Sequence, residues 1–125
     1  MENKDKIFKY LEISPVLTNK HTVDDFPNAF IINANIDSAD LGIVNTANGL
    51  KKPKWFDIVN NFKKEYIIID KLDSISIYEQ EKFYELLNYN TISGVEFTLP
   101  IKFIITYSNL DNINTNIKSL CRVIK

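Results

Sequence analysis

The chain has 125 residues, 45% hydrophobic and 25% charged, with 15 basic and 16 acidic side chains and a formal net charge of −1. These values exclude a disordered chain, and the balanced charge gives no general attraction to nucleic acid or to an anionic membrane. One cysteine excludes an intrachain disulfide, and no apolar run approaches the roughly 18 residues of a membrane span or forms a signal peptide at Met1–Tyr10. We therefore expect one domain, residues 1–125, in the cytoplasm and without a membrane partner.

The N-terminal part of the chain contains two short apolar segments separated by a polar connector. Lys6–Ile13 (KIFKYLEI) predicts a short helix that runs into a strand at Tyr10–Ile13. The polar connector is Ser14–Thr22 (SPVLTNKHT). Pro27 disfavours helix for the residue before it, so a helix there is at most about two turns long. Ala29–Ala34 (AFIINA) then predicts a second, buried strand.

The next segment lacks a clear apolar period and is followed by a helix. Asn35–Lys54 is rich in Asn, Asp, Gly and Lys, which is typical of a loop or of a marginal helix around Ala39–Val44. Pro53 suits the first turn of a helix, where its missing N–H costs nothing. Four apolar side chains follow at helical spacing and are expected to face the core: Trp55, Ile58, Val59 and Phe62.

The strongest strand signal is Tyr66–Ile69, a run of β-branched or aromatic residues flanked by charges. Asp70 ends this run and Asp73 lies three residues further on. In open α/β sheets ligands bind beyond the carboxyl ends of the strands, so these two carboxylates lie where a metal-phosphate or a catalytic group would be held. The alternative is that they only end the strand and cap the next segment of the chain.

A further helix is predicted after the acidic pair. Ser76 and Glu79 form an S-x-x-E capping box that starts a helix through about Asn88. Its buried stripe is expected to be Phe83, Leu86 and Leu87. Its water-facing side chains are expected to be Glu79, Gln80, Glu81, Lys82 and Glu85.

The C-terminal third predicts a hairpin and two more strands around a short helix. Asn90–Pro100 has β-branched residues on both sides of Ser93-Gly94, which indicates a hairpin. Lys102–Tyr107 predicts a buried strand, Asp111–Lys118 a short helix, and Cys121–Ile124 a last short strand at the sheet edge. Strands that alternate with helices at this spacing predict an α/β fold with a three-layer parallel sheet.

The order of parts from Tyr66 onward resembles the second half of the AAA+ P-loop ATPase core, and in particular clamp-loader and helicase-loader subunits. Ile67–Asp70 is similar to a Walker B motif, and Asn90–Pro100 is similar to the hairpin before sensor 1. Asn109 stands at the sensor-1 position, and the ending NINTNIKSLCRVI resembles that of clamp-loader subunits. The resemblance implies a P-loop NTPase-like fold that lacks the helical lid, because the chain stops where the lid would begin.

In an active member of that family the ligands would be ATP and Mg²⁺. The resemblance implies that Asp70 and Asp73 hold the metal and that Asp70 and Asn109 act in catalysis. Arg122 would lie near the arginine-finger region, which reaches the nucleotide of a neighbouring subunit. Since an Asn after a strand is also a common turn former, Asn109 has a purely structural alternative.

A degenerate Walker A loop would occupy Ser14–His21. Only the lysine of the motif is kept, as Lys20, and both glycines are replaced. Lys20, His21 and Thr22 would then be the nucleotide-binding residues. The alternatives are that Lys20 is a solvated lysine and that His21 is a loop residue, since no second histidine exists to complete a metal site.

Further departures argue against hydrolysis by this chain alone. Lys71 replaces the second acidic residue of the Walker B pair, and a lysine does not serve as a general base near neutral pH without a large fall in its pKa. Pro27 shortens the helix after the phosphate loop, which weakens its dipole. Leu120 replaces the arginine of the "SRC" triplet, which offsets Arg122 by two positions.

These observations lead to three hypotheses. The first is a non-catalytic AAA+-like module of phage or mobile-element origin that docks on and modulates a true AAA+ ATPase or replication complex, with DNA contacted only indirectly. It predicts an exposed apolar patch at a sheet edge or around Asn90–Pro100. The second is a weak ATP-binding protein or ATPase that uses the degenerate motifs, with Lys20, Asp70 and Asn109 around one pocket. The third is an unrelated small α/β domain, because fold does not fix function.

Overall fold

The structure is a computed structural model and describes residues 2–19, 25–42, 44–47 and 49–125. Within these ranges nine strands form one five-stranded sheet and two hairpins. Numbered along the chain, they are β1 Val16–Thr18, β2 Phe30–Asn33, β3 Val44–Thr46, β4 Gly49–Lys51, β5 Tyr66–Asp70, β6 Thr91–Ile92, β7 Val95–Glu96, β8 Lys102–Thr106 and β9 Arg122–Ile124. The main sheet has the order β2-β5-β8-β1-β9, and every neighbouring pair in it is parallel.

Helices flank this sheet. The α-helices are α1 Glu2–Leu11, α2 Ser38–Leu41, α3 Lys54–Asn61, α4 Tyr84–Tyr89 and α5 Thr115–Leu120. Three 3₁₀ segments, Leu72–Ser74, Glu79–Phe83 and Leu110–Asn112, lie in the connections. The predicted α/β fold with a parallel sheet and flanking helices is confirmed, and no helical lid is present among the described residues.

The two faces of the sheet bury cores of different size. Because side chains alternate along a strand, Ile67 and Ile69 of β5 enter the larger cluster and Ile68 enters the smaller one. Helices α3, α4 and α5 supply the larger cluster, whereas Ile7 and Leu11 of α1 enter the smaller one. The central strand is thus buried on both faces, as its sequence predicted.

The strand predicted at Tyr10–Ile13 is wrong. Tyr10 and Leu11 belong to α1, which ends when the N–H groups of Ile13 and Ser14 both donate to the Tyr10 carbonyl oxygen, at 2.9 and 3.0 Å. Ile7 and Leu11 are four residues apart and both buried, so the apolar period is helical here. The strand comes after the turn, as β1, and carries two fully buried apolar side chains.

The prediction for Asn35–Lys54 is correct in part. Helix α2, Ser38–Leu41, overlaps the range Ala39–Val44 suggested for a marginal helix, but the hairpin of β3 and β4 was not predicted. Trp55 is buried as expected. Phe62 was expected in the core and is 72% exposed, because α3 ends at Asn61 and Phe56 occupies the core instead.

The helix predicted from Ser76 is broken into a 3₁₀ segment and α4. The Glu79 N–H donates to the Ser76 hydroxyl at 3.1 Å, so the first half of the capping box is present. Gln80 was expected to face water, and it is wholly buried instead. A 3₁₀ turn places side chains three residues apart on the same side, so the helical period did not apply here.

The hairpin predicted within Asn90–Pro100 is confirmed. Strands β6 and β7 pair antiparallel around Ser93-Gly94, whose φ angles of 51° and 81° are those of a type I′ turn. The predicted buried strand and edge strand are confirmed as β8 and β9.

Candidate functional site at the carboxyl edge of the sheet

Polar side chains stand in one row where four strands of the main sheet end. The pairing places Asn33 beside Asp70, and Thr18 beside Thr106. The Thr106 hydroxyl donates to Asp70 Oδ1 at 2.8 Å, and this hydrogen bond links the end of β8 to the end of β5. This is the edge at which parallel α/β sheets bind ligands.

Thr106 holds the end of β5 by two contacts. Besides donating to Asp70, its hydroxyl oxygen accepts a hydrogen bond from the Lys71 N–H at 2.8 Å. Lys71 is exposed and has a left-handed backbone, with φ 57°. Sequence reasoning missed Thr106; the available signal was its place at the end of a predicted strand that neighbours the acidic pair.

Asp73 is bound to the segment after β8. Its Oδ2 accepts hydrogen bonds from the N–H groups of Ser108 and Asn109, at 2.9 and 2.6 Å. The structure therefore gives Asp73 a positioning contact between two strand ends. A role in holding Mg²⁺ stays a prediction, and among the described residues no group of three His, Cys, Asp or Glu could hold a metal ion.

Asn109 caps a turn at the predicted sensor-1 position. Its side chain is exposed, and its Oδ1 accepts a hydrogen bond from the Asp111 N–H at 3.1 Å, which caps the segment Leu110–Asn112. Its own N–H is bound by Asp73. The backbone of Asn109 thus contacts Asp73, whereas its side chain caps the turn that follows.

The predicted Walker A loop is corrected in part. Within Ser14–His21, three residues form β1, so the connection after this strand begins at Asn19. Lys20, His21 and Thr22 lie outside the described residues, and their role as nucleotide ligands stays a prediction.

Arg122 is separated from the acidic pair. It is the first residue of β9 and is level with Val16, two positions before the carboxyl edge of the sheet. Its guanidinium carbon lies 4.4 Å from the centre of the Tyr10 ring, and Nη2 lies 3.4 Å from the Tyr10 hydroxyl. The structure thus does not bring Arg122 together with Asp70.

The buried polar pair Gln80 and Asn114 was not predicted. Gln80 Nε2 donates to the carbonyl oxygens of Ile75 and Asn112, at 3.2 and 2.8 Å, and its Oε1 accepts from the Asn114 N–H at 2.7 Å. Asn114 Nδ2 donates to the Ile77 carbonyl oxygen at 2.9 Å. These contacts join the connection after β5 to the start of α5.

The thiol of Cys121 is excluded as a nucleophile. Burial raises the pKa of the Cys121 thiol to about 12, so it is not a thiolate nucleophile near neutral pH. Within the described part of the chain, no helix combines the length and the apolar character that crossing a bilayer requires.

Comparison with known proteins supports the fold. No protein-family model and no curated protein matches this chain. The crystal structure of a "putative ATPase" from Cytophaga hutchinsonii matches 87% of this chain with a TM-score of 0.54 and 11% sequence identity. The matched region is 38% of the length of that protein.

At this identity the match shows the fold alone. The chain has an α/β fold with a parallel five-stranded sheet and flanking helices, consistent with a P-loop NTPase-like fold.

Proposed function

We propose that this protein is an AAA+-like module that acts by binding a protein partner and not by hydrolysing ATP. The observation that carries the proposal concerns the residues at the carboxyl edge of the sheet, where a water-activating carboxylate would be expected. Asp70 is followed by an exposed lysine, and the Asp73 carboxylate is bound by two backbone N–H groups. ATP hydrolysis needs a carboxylate that activates water. Lys71 has no carboxylate, and the Asp73 carboxylate is already bound by backbone N–H groups.

The partner class is inferred from the resemblance. AAA+ proteins assemble with one another, so the partner we propose is a true AAA+ ATPase or a replication protein, whose activity the bound module modulates. DNA is then contacted only through that partner. Exposed apolar groups near the second hairpin support a contact surface: Tyr89 is 67% exposed and Leu99 is exposed as well. Both line a cavity of about 370 Å³ beside the hairpin.

The first experiment is a phosphate-release assay with ATP and Mg²⁺ on the purified chain, with Asp70→Asn as its matched control. We expect no release above that control. Hydrolysis that the substitution removes would overturn the proposal.

The second experiment tests the partner. A photo-reactive amino acid replaces Leu99 beside the hairpin, and a control carries it at the exposed Ser119 on α5. We expect an AAA+ ATPase to cross-link at the first position only, and the purified pair to show an altered ATPase rate. No change in that rate would contradict the proposed modulation.

ATP binding without hydrolysis is a second candidate. Asp70 Oδ1 accepts one hydrogen bond, and Oδ2 has no hydrogen-bond partner among the described residues. A free carboxylate oxygen at this edge suits a hydrated Mg²⁺. Millimolar ATP with a micromolar Kd would stabilise the protein by about 4 kcal/mol, so a thermal-shift assay of wild type, Asp70→Asn and Lys20→Ala tests this candidate.

A further inference from the structure

Two cavities of opposite charge lie side by side at α2. The first, of about 470 Å³, is lined by the carboxylates of Asp37, Glu79 and Glu81 and by one ammonium group, that of Lys82. We call it the acidic cavity. It opens beside the connection after β5.

The second cavity, of about 530 Å³, has the opposite charge. Three ammonium groups, those of Lys51, Lys52 and Lys54, line it with one carboxylate, that of Asp40. We call it the lysine groove. Ile36 lines both cavities, so the two share a boundary.

The floor of the lysine groove is apolar. Ala39, Pro53 and Trp55 line it. Trp55 is only 6% exposed, and its indole N–H donates to the Leu41 carbonyl oxygen at 3.2 Å, so its ring belongs mainly to the core. The groove therefore suits an apolar side chain that has carboxylates beside it.

A segment of that kind stands on the rim of the acidic cavity. Tyr78 is 88% exposed, and the exposed Ile77 precedes it. Glu79 comes directly after it, and Glu81 two residues later. The chain thus carries both the groove and a segment whose chemistry complements that groove.

We propose that this face is where two copies of the chain associate around a two-fold axis near Ile36, with Tyr78 of each copy in the lysine groove of the other. A two-fold interface requires one surface to be complementary to itself. Adjacent patches of opposite charge meet this requirement, since the rotation places the acidic cavity of one copy over the lysine groove of its partner.

Other occupants fit this face less well. A nucleic-acid strand would bring its phosphates next to the three acidic residues of the acidic cavity, which would repel them. An acidic peptide would use the lysine groove and leave the acidic cavity without a role. A second copy uses both cavities at once.

The test is sedimentation velocity at increasing protein concentration with two charge-reversed variants. One carries Lys51→Glu and Lys52→Glu, and the other carries Asp37→Lys and Glu79→Lys. Each alone is expected to weaken self-association by about 10-fold or more, because like charges then face each other across the axis. An equimolar mixture of the two is expected to restore a dimer.

Controls separate this outcome from others. Lys63→Glu with Lys64→Glu, beyond the end of α3, carries the same charge change away from the face and is expected to leave association unchanged. If a charge-reversed variant fails to fold, Tyr78→Ser replaces it in the test, because the Tyr78 side chain is exposed and its removal should not disturb the fold. The same weakening of self-association is expected.

Three results would overturn the proposal: a wild-type monomer at every concentration, a dimer that neither reversal weakens, or a mixture that does not re-form a dimer. A wild-type chain that binds an acidic peptide or DNA while it stays monomeric gives the first of these three results. No partner ATPase enters the experiment, so its outcome is independent of the proposed function.

Discussion

The connection after β5 contributes to two polar regions, and these differ in how completely their groups are hydrogen-bonded. Gln80 and Asn114 are buried, and each amide both donates and accepts hydrogen bonds within the protein. Asp70 and Asp73 are only half-buried, and one oxygen of Asp70 has no partner among the described residues.

The difference shows which polar groups the fold needs. A buried amide must find its partners inside the protein, because an unpaired one costs about 1–3 kcal/mol. A half-exposed carboxylate keeps water as an alternative, so it stays available for a ligand. We therefore expect substitutions in the buried pair to lower the stability of the fold and substitutions of Asp70 to leave it nearly unchanged.

The largest effect is expected at Gln80. Gln80→Met keeps the length of the side chain but removes three hydrogen bonds, leaving the Asn114 N–H and two carbonyl groups unpaired. We expect the free energy of unfolding in urea to fall by about 3 kcal/mol. Glu79→Gln, on the exposed neighbour, is the control and is expected within about 0.5 kcal/mol of wild type. Equal stability of the two variants would contradict a structural role for the buried pair.

A smaller loss is expected at Asp73. Asp73→Ala removes a carboxylate that binds two backbone N–H groups, and charge-assisted bonds of this kind at a half-exposed site contribute about 2 kcal/mol. Urea unfolding followed by circular dichroism measures it. The nearby exposed Asp111→Ala should cost less than about 0.5 kcal/mol. If both variants lose the same amount, Asp73 does not hold the strand ends together.

Sequence predicted the parts of this fold whose signals are local. The run that became β5 and the Ser93-Gly94 turn are each encoded by their own residues, a β-branched stretch in one case and a turn dipeptide in the other. The place of Asp70 and Asp73 at the carboxyl edge of the sheet was likewise predicted from their position after a strand. The parallel sheet was predicted from the spacing of such elements.

The features that sequence missed depend on contacts made across the fold. Gln80 has the pattern of a surface residue on a helix until the 3₁₀ turn directs it toward Asn112 and Asn114. Thr106 becomes part of the site only because β8 lies next to β5 in the sheet. Phe62 was predicted in the core but is exposed, because α3 ends at Asn61 and the end of a helix is poorly encoded locally.

A pH-dependent effect is expected at Glu85, which holds the second hairpin. Its carboxylate accepts hydrogen bonds from the Ser93 and Gly94 N–H groups and from the Thr91 hydroxyl, at 2.7 to 3.0 Å. Partial burial raises the pKa of Glu85, but these hydrogen bonds together lower it more, so its pKa lies below the ordinary value. Glu85→Gln should cost about 1 kcal/mol at neutral pH.

The sign of the pH dependence is set by that lowered pKa. The stability from Glu85 is complete above the unfolded pKa of about 4.3 and is lost as the pH falls through the lower folded pKa. The difference between wild type and Glu85→Gln should therefore shrink in acid, whereas Glu96→Gln on the same hairpin should stay within about 0.5 kcal/mol at neutral pH. A difference that grows in acid would contradict this account.

The opposite sign is expected at Tyr107, whose buried hydroxyl has no hydrogen-bond partner among the described residues. Burial raises the pKa of this phenol, which agrees with its lack of solvation. Tyr107→Phe removes the unpaired group and should stabilise the protein by up to about 1 kcal/mol in thermal unfolding. Tyr84→Phe, near the protein surface, is the control and should change little. A clear loss at Tyr107→Phe would show that its hydroxyl has a partner after all.

The smallest effect on stability is expected at Asp70, and it decides most about function. Asp70→Asn keeps an oxygen that accepts from the Thr106 hydroxyl, so the free energy of unfolding should change by less than about 0.5 kcal/mol. Thermal shift with ATP and Mg²⁺ then isolates ligand binding from folding, because both proteins begin with equal stability. If the nucleotide stabilises neither protein, ATP binding at the carboxyl edge is excluded as the second candidate function. If it stabilises wild type alone, the unpaired oxygen of Asp70 holds the metal, and the edge differs from the buried pair in function as well as in exposure.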